Sequence, residues 1–267
     1  MEKKIINLWE NTPPDYTEGE IPKLTYYPAE NKRGCGTVVI CPGGGYSHRA
    51  NHEGEGYAVF LNECGLDAFV LDYRVSPNRF PSPLLDARRA IRYVRANAEK
   101  YGIDPERIAI MGSSAGGHLA ATASTYREPI AGEGVDSLDN VSPFPNAQIL
   151  CYPVTNYESH HGSYNNLLGA EHTEEERLEV TPNLLVSDKT PPAFMWHTFE
   201  DASVAIASTY DYAKRLKEHA VPTEFHVYPY GKHGLGLAND STRLVPHVQS
   251  WAVLLENWLK LYGYIGE

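Results

Sequence analysis

Several absences limit what this sequence can encode. Its 267 residues include only four cysteines, and none of these forms a CxxC pair or stands near a histidine at metal-ligand spacing. No apolar run approaches the roughly 20 residues of a membrane-spanning helix, and the opening segment lacks the apolar stretch of a signal peptide. We therefore expect a cytoplasmic protein that keeps its thiols free. We also expect no metal and no cofactor.

Basic residues are also scarce, since 23 lysines and arginines face 34 acidic residues and give a net charge of −11. Nucleic-acid binding needs clustered Lys and Arg that displace counterions, and the nearest approach is the segment with Arg88, Arg89, Arg92 and Arg95. Apolar residues share that segment at helical spacing, so we interpret these arginines as the solvated face of a helix. We predict no nucleic-acid partner and no membrane partner.

What the chain does contain is an alternation of short apolar runs with amphipathic helical runs. Hydrophobic residues make up 42% of the sequence, and the alternation predicts an α/β fold, a parallel sheet covered by helices on both faces. The predicted strands are 37–41, 68–73, 107–111, 147–152, 193–198 and 223–228. The predicted helices are about 54–64, 82–98, 115–125, 204–219 and 243–261. No repeat or linker divides the chain, so we predict one domain over 1–267, with rim or lid insertions at about 126–146 and 155–190.

The strongest motif directly follows the strand at 107–111. Residues 112–116 read Gly-Ser-Ser-Ala-Gly, a Gly-x-Ser-x-Gly motif in the strand–turn–helix context that presents a serine above the carboxyl end of a sheet. Ser113 has the wrong offset in this motif. We predict Ser114 as a nucleophile.

A serine hydroxyl needs a base to take its proton and an acid to orient that base. In this kind of sheet the order along the chain is serine, acid, histidine. His233 follows the strand at 223–228 in a loop flanked by glycines, and Asp201 follows the strand at 193–198. We predict His233 as the base and Asp201 as the acid, with Glu200 as the alternative acid.

A row of glycines after the strand at 37–41 completes the set. Residues 42–46 read Pro-Gly-Gly-Gly-Tyr, and such a row leaves backbone N–H groups free to bind an oxyanion. We predict donors from Gly44, Gly45 and Ala115. A flexible turn or a phosphate cradle would be the alternative. Tyr46 and His48 come next, and we predict that they line the substrate pocket.

These residues resemble the α/β-hydrolase esterases related to the hormone-sensitive-lipase group. The closest branch is the bacterial acetylesterases that act on acetylated plant polysaccharides, whose members are often labelled xylanases. The resemblance covers about residues 24–262, and it implies the same roles for Ser114, Asp201 and His233 and for the three oxyanion donors. The segments that carry it are PGGGY, DYRVSP, IRYVRANAEKYGIDPERIAIMGSSAGGHLA, NLLG, TPPAFMWHTFED and GKHGLGLA.

Two positions depart from the pattern of the lipase-like relatives. Pro42 stands where those relatives carry a histidine before the glycines, which points to the carbohydrate-esterase branch. After Asp201 the chain reads Ala-Ser-Val-Ala, where relatives usually carry a Val-Val-Pro segment.

The function we expect is a serine carboxylesterase that removes short acyl groups, above all acetyl groups from plant-derived sugars. The partner would be a small-molecule or oligosaccharide ester, and a homo-oligomer is common in relatives. The alternatives are a serine peptidase or amidase of the same fold, a feruloyl-type esterase, and a non-catalytic binding module.

Overall fold

A computed structural model describes residues 2–266 and builds them around one sheet. The strands, in chain order, are β1 Lys4–Asn7, β2 Lys23–Tyr27, β3 Thr37–Cys41, β4 Asp67–Asp72, β5 Ile108–Ser113, β6 Ala147–Cys151, β7 Ala193–Thr198 and β8 Thr223–Tyr228. Their order across the sheet is β1-β2-β4-β3-β5-β6-β7-β8. Strands β3 to β8 run parallel, while β1 and β2 extend one edge in the antiparallel sense.

Helices cover both faces of this sheet. They are α1 Glu55–Glu63, α2 Ser82–Ala96, α3 Ala98–Tyr101, α4 Ser114–Thr125, α5 His161–Leu168, α6 Glu174–Glu179, α7 Pro182–Leu185, α8 Ile206–Glu218 and α9 Ser250–Leu261. Side chains alternate along a strand, so β3 sends Val38 and Ile40 to the face under α1 and α9, and Val39 to the face under α2, α4 and α8. The expected α/β fold with a mostly parallel sheet is confirmed.

Two differences from the sequence prediction lie near the ends of the chain. The six predicted strands are present, but β1 and β2 were missed. β1 is a short edge strand with three of its four residues exposed, and β2 has only five residues, Lys-Leu-Thr-Tyr-Tyr, of which one is aliphatic. The last helix begins at Ser250, not at 243. Asp240 instead accepts hydrogen bonds from the amides of Thr242 and Arg243, and Pro246 offers no N–H to a helix.

The interpretation of the α2 arginines as a solvated face is wrong. Arg88, Arg89 and Arg92 are only 2%, 3% and 6% exposed, because the insertion at 126–146 lies over them and supplies carboxylates. We call these three side chains and their acidic partners the arginine cluster. Its ion pairs are Arg88 with Glu133 at 3.0 Å, Arg89 with Asp136, Arg92 with Glu133 at 2.8 Å, and Arg92 with Asp139 at 3.0 Å.

The second insertion, 155–190, is more regular than its composition indicates. It contains three short α-helices, α5, α6 and α7. Thr173 begins α6 with a capping box to Glu176, and Asn166 in α5 donates from Nδ2 to the carbonyl of Gly45 at 2.8 Å. This insertion therefore touches the predicted oxyanion loop, which the arginine cluster does not.

Candidate active site

Ser114 stands at a sharp turn between β5 and α4. Its φ of +53° lies in the left-handed region, which is uncommon for a residue with a side chain. The turn is possible because both flanking glycines approach backbone closely. A Cβ on Gly112 would lie 2.0 Å from the carbonyl oxygen of Gly116, and one on Gly116 would lie 2.1 Å from that of Cys41. The sequence thus forces the serine out of the strand and above the sheet.

His233 and Asp201 meet Ser114 in one hydrogen-bonded series. Nε2 of His233 lies 2.9 Å from Ser114 Oγ, and Nδ1 lies 2.6 Å from Asp201 Oδ2. Since an ionised carboxylate can only accept, Nδ1 carries the proton and Nε2 is free to accept the serine proton. The structure brings these three predicted residues together from the ends of β5, β7 and β8.

Asp201 is held as a carboxylate by several donors. The amides of Ser203 and Val204 each donate to Oδ1 at 2.9 Å, so hydrogen bonds fix the acid loop although no proline directly follows Asp201. Burial raises the pKa of Asp201, but hydrogen bonds from His197 and His233 outweigh it and hold the pKa well below its usual range. Asp201 is therefore ionised in the folded protein at neutral pH.

The alternative acid, Glu200, has another position. Its side chain accepts a hydrogen bond from the amide of Gly231 at 2.7 Å and so braces the loop that carries His233. Among the acids of the described chain, it is Asp201 that contacts His233 Nδ1.

The glycine loop and Ser114 share one cavity of about 390 Å³, which we call the Ser114 cavity. Gly44 and Gly45 have φ of +130° and +63°, and a Cβ on Gly44 would lie 2.2 Å from the carbonyl oxygen of His48. Among residues 2–266, the amides of Gly44 and Gly45 have no hydrogen-bond acceptor. The first residues of a helix likewise have no acceptor within it, and Ala115 directly follows Ser114 at the start of α4.

His48 lines this cavity, but Tyr46 does not. The Tyr46 side chain is 1% exposed and its hydroxyl lies 2.8 Å from Nδ1 of His118. Its φ of +59° turns the chain so that the ring packs beneath the loop. The expected pocket role of Tyr46 is therefore corrected to a role in the core.

Sequence reasoning missed a buried pair beside the site, which we call the Glu53–Tyr152 bridge. Glu53 is 3% exposed; it accepts from the amide of Gly43 at 2.8 Å and from the Tyr152 hydroxyl at 2.6 Å. The Tyr152 hydroxyl also accepts from the amide of Gly236 at 2.9 Å, and its ring packs edge-on against His233. The bridge thus joins the glycine loop to the histidine loop. Glu53 and Tyr152 are 99 positions apart, and no local motif marks either residue.

Two histidines were also missed. His197 in β7 is fully buried and its Nε2 lies 3.2 Å from Asp201 Oδ2, so it must donate there. His160 lines the Ser114 cavity and accepts from the amide of Ser163 at Nδ1, at 3.0 Å. That bond places the proton of neutral His160 on Nε2. Burial, and then repulsion from the protonated form of His233, lower the pKa of His160 and favour this neutral form.

Two further features concern metals and membranes. Within residues 2–266, no group of three or more His, Cys, Asp or Glu side chains is arranged to hold a metal ion. In the same residues, every helix is too short or too polar to cross a membrane.

The chain is similar to known proteins over most of its length. The BD-FAE family model matches residues 25–216, which include Ser114 and Asp201 and end before His233. The chain belongs to the BD-FAE family. The resemblance inferred from the motifs is confirmed at this level, and the α/β-hydrolase fold with it.

Three individual proteins show how far this similarity extends. An endo-1,4-beta-xylanase B of Butyrivibrio fibrisolvens is 37% identical over 88% of this chain, and an acetylxylan esterase of Xylanibacter ruminicola is 33% identical over 91%. The matches cover 38% and 48% of those proteins, so this BD-FAE chain spans less than half of either. An acetyl ester-xyloside bifunctional hydrolase from Caldicellulosiruptor lactoaceticus has a solved structure that is 42% identical, with a TM-score of 0.91 and coverage of 98% and 97%.

Proposed function

We propose that this chain is a serine carboxylesterase that hydrolyses short acyl esters, chiefly O-acetyl groups on sugars derived from plant polysaccharides. The observation that carries the proposal is the series Asp201–His233–Ser114, which ends in a cavity beside Gly44 and Gly45. The names of two similar proteins, an acetylxylan esterase and an acetyl ester-xyloside bifunctional hydrolase, support the same activity.

In the proposed reaction His233 Nε2 takes the proton of Ser114 as Oγ attacks the acyl carbon. The negative charge that develops on the carbonyl oxygen accepts hydrogen bonds from the amides of Gly44, Gly45 and Ala115. Each such donor can lower the barrier by about 3 kcal/mol. The bond between the acyl carbon and the sugar oxygen then breaks, and His233 gives its proton to that oxygen, which leaves as the sugar hydroxyl and leaves the acyl group on Ser114. Asp201 stabilises the charged imidazole until this transfer.

The acyl-enzyme is hydrolysed by the same groups in the reverse direction. A water molecule replaces the alcohol, loses a proton to His233 and attacks the ester on Ser114. Breakdown of the second tetrahedral intermediate returns the proton to Ser114 Oγ and releases the carboxylic acid. Every step uses side chains and amides of this chain, so the proposed mechanism requires no cofactor.

Substitution of the nucleophile is the direct test. We expect Ser114→Ala to lower kcat on p-nitrophenyl acetate and on acetylated xylan by at least about 10³-fold. The matched control is Ser124→Ala in α4, whose hydroxyl bonds to the Ala120 carbonyl and not to the cavity. Acetate release at the wild-type rate by Ser114→Ala would contradict the mechanism. Faster cleavage of matched amide or feruloyl substrates would favour one of the alternative hydrolases.

The lining of the Ser114 cavity also predicts the acyl length. Among the residues that line it, none has an apolar side chain larger than that of Ala50, so a long alkyl chain would gain little apolar contact there. We therefore expect acetyl and butyryl esters to react faster than octanoyl esters. The assay is a p-nitrophenyl ester series, and a maximum at eight carbons or more would overturn this preference. The lining side chains that carry the argument are His48, His52, Glu53, His160, Asn166 and Ser203.

We also propose that the protein forms a single domain over 1–267, is located in the cytoplasm and assembles as a homo-oligomer. The continuous sheet supports a single domain. All four cysteines are free in the structure, with Cys35 exposed and the other three buried, which suits a reducing compartment. Limited proteolysis, cell fractionation and sedimentation would check the three in turn.

A further inference from the structure

A second cavity lies beside the Ser114 cavity. It has a volume of about 470 Å³, and Ser47 and His48 line both cavities. We call it the Arg49 cavity. Its walls are the loops that follow β3 and β4 together with residues 18–20. Neighbouring parallel strands end at the same edge of a sheet, and this is the edge at which α/β proteins bind ligands.

The walls of the Arg49 cavity are fixed by hydrogen bonds. Asn78, which is 3% exposed, donates to the carbonyl of Glu18 at 2.7 Å and accepts from the amide of Thr17 at 2.9 Å. Arg49 donates to Glu20 at 2.6 Å and to the carbonyl of Tyr73 at 2.9 Å. The cavity is therefore a built feature of the fold, in the size range of ligand sites.

The lining carries an excess of negative charge. The lining contains three carboxylates, those of Glu18, Glu20 and Asp72, and the partly exposed guanidinium of Arg49 offsets only one of these charges. Arg74 also lines the cavity, but its side chain is fully buried and paired with Asp86 at 2.9 Å. Carboxylates and a guanidinium bind sugar hydroxyls well, whereas the excess of carboxylates repels a second anion.

We propose that the Arg49 cavity holds the sugar part of the leaving alcohol and selects neutral glycosides over those that carry a uronic acid next to the ester. This inference rests on the proposed esterase function and names its substrate class. With the acyl carbon at Ser114, the alcohol passes Ser47 and His48, and the rings beyond it enter the Arg49 cavity.

The test compares three substrates. These are p-nitrophenyl acetate, an acetylated neutral oligosaccharide, and the matched oligosaccharide with a uronic acid beside the acetyl group. The wild type should have a higher kcat/KM on the neutral than on the acidic oligosaccharide. Glu18→Lys should raise the acidic-to-neutral ratio of kcat/KM by about 3- to 10-fold, because a repulsive charge becomes attractive. Glu18→Lys should leave kcat/KM on p-nitrophenyl acetate unchanged.

Two further variants test the space in the Arg49 cavity and the effect of the protein's net charge. Ser76→Trp adds bulk at an exposed position of the Arg49 cavity, and it should raise KM for both oligosaccharides but not for p-nitrophenyl acetate. Glu30→Lys makes the same charge change before β3, at the opposite edge of the sheet, and should leave the ratio as in the wild type.

The outcomes distinguish this inference from the function on which it rests. An acidic-to-neutral ratio that is equal in the wild type and Glu18→Lys, with normal p-nitrophenyl acetate hydrolysis, overturns the sugar site and leaves the esterase intact. A ratio that shifts equally in Glu30→Lys also overturns the site, because net charge would then be the cause. Absence of hydrolysis of all three esters by the wild type overturns both proposals.

Discussion

The Glu53–Tyr152 bridge and the arginine cluster are both polar networks in the interior, but they bind to different parts of the molecule. The bridge ends on the amides of Gly43 and Gly236, in the two loops that contribute the predicted oxyanion donors and His233. The arginine cluster ends on carboxylates of 126–146, and none of its members lines the Ser114 cavity. Burial of charge is common to both, so burial alone does not indicate a role in the chemistry. The contacts at the ends of each network indicate that role.

Of the variants in the two networks, those that break the bridge should have the largest effect, and this effect should be on the catalytic rate. Tyr152→Phe removes the hydrogen bond to Glu53 Oε1 and leaves the Gly236 amide without its acceptor, while the Gly43 amide still donates to Glu53. Glu53→Gln replaces a charged acceptor by a neutral one. Hydrogen bonds to buried charged groups contribute about 1.5–3 kcal/mol, so we expect kcat to fall about 10- to 100-fold while KM changes little. The measurement is kcat and KM on p-nitrophenyl acetate, with Tm recorded alongside.

A double-mutant cycle shows whether the two residues act as one unit. The Glu53→Gln and Tyr152→Phe double variant should lose much less than the sum of the single losses. Tyr212→Phe is the control, because it removes a fully buried hydroxyl that bonds to Gln148 outside the cavity. Additive losses, or an equal fall of kcat in Tyr212→Phe, would show that the bridge has no positioning role.

Breaking the arginine cluster should instead lower stability. Glu133→Gln removes the carboxylate shared by Arg88 and Arg92, although Asp139 still pairs with Arg92. Loss of one partner of a buried pair costs about 3–5 kcal/mol, and the partial exposure of Glu133 reduces this to about 2 kcal/mol. Calorimetry should show a lower Tm, while kcat stays within about twofold of the wild type.

The control for Glu133→Gln is a substitution in an exposed ion pair. Glu218→Gln removes the partner of Arg215 on the surface of α8, and such pairs contribute about 0–1 kcal/mol. A fall of kcat in Glu133→Gln as large as in the bridge variants would erase the distinction between the two networks.

The same contrast explains what the sequence could predict. Ser114, Asp201 and His233 each follow a strand that has a clear apolar pattern, and parallel strand ends meet at one edge, so local signals were enough. Glu53 and Tyr152 meet only through the tertiary fold, and the burial of Arg88 depends on a segment about 40 residues later. Tyr46 was misplaced for a related reason: a position next to a glycine loop does not fix the direction of a side chain whose φ is positive.

The smallest effect we expect is on the pH dependence of stability. Burial raises the pKa of Glu133, but the amide of Ile130 and the guanidinium groups of Arg88 and Arg92 outweigh it and hold the pKa below its usual value. A carboxyl whose folded pKa is lowered stabilises the protein fully above its unfolded pKa of about 4.3, and this contribution disappears as the pH falls through the folded pKa. The Glu133→Gln variant has no ionisable group at this position, so its stability lacks this pH-dependent contribution.

The unfolding free energies of the wild type and Glu133→Gln should therefore converge as the pH is lowered from 6 towards 3. Denaturant titrations at a series of pH values measure this difference directly. Asp136 in the same cluster also has a lowered pKa, through its hydrogen bond with Arg89, so both proteins retain a common loss of stability in acid. A difference between the two proteins that stayed constant down to pH 3 would mean that the Glu133 carboxylate does not stabilise the fold through its charge.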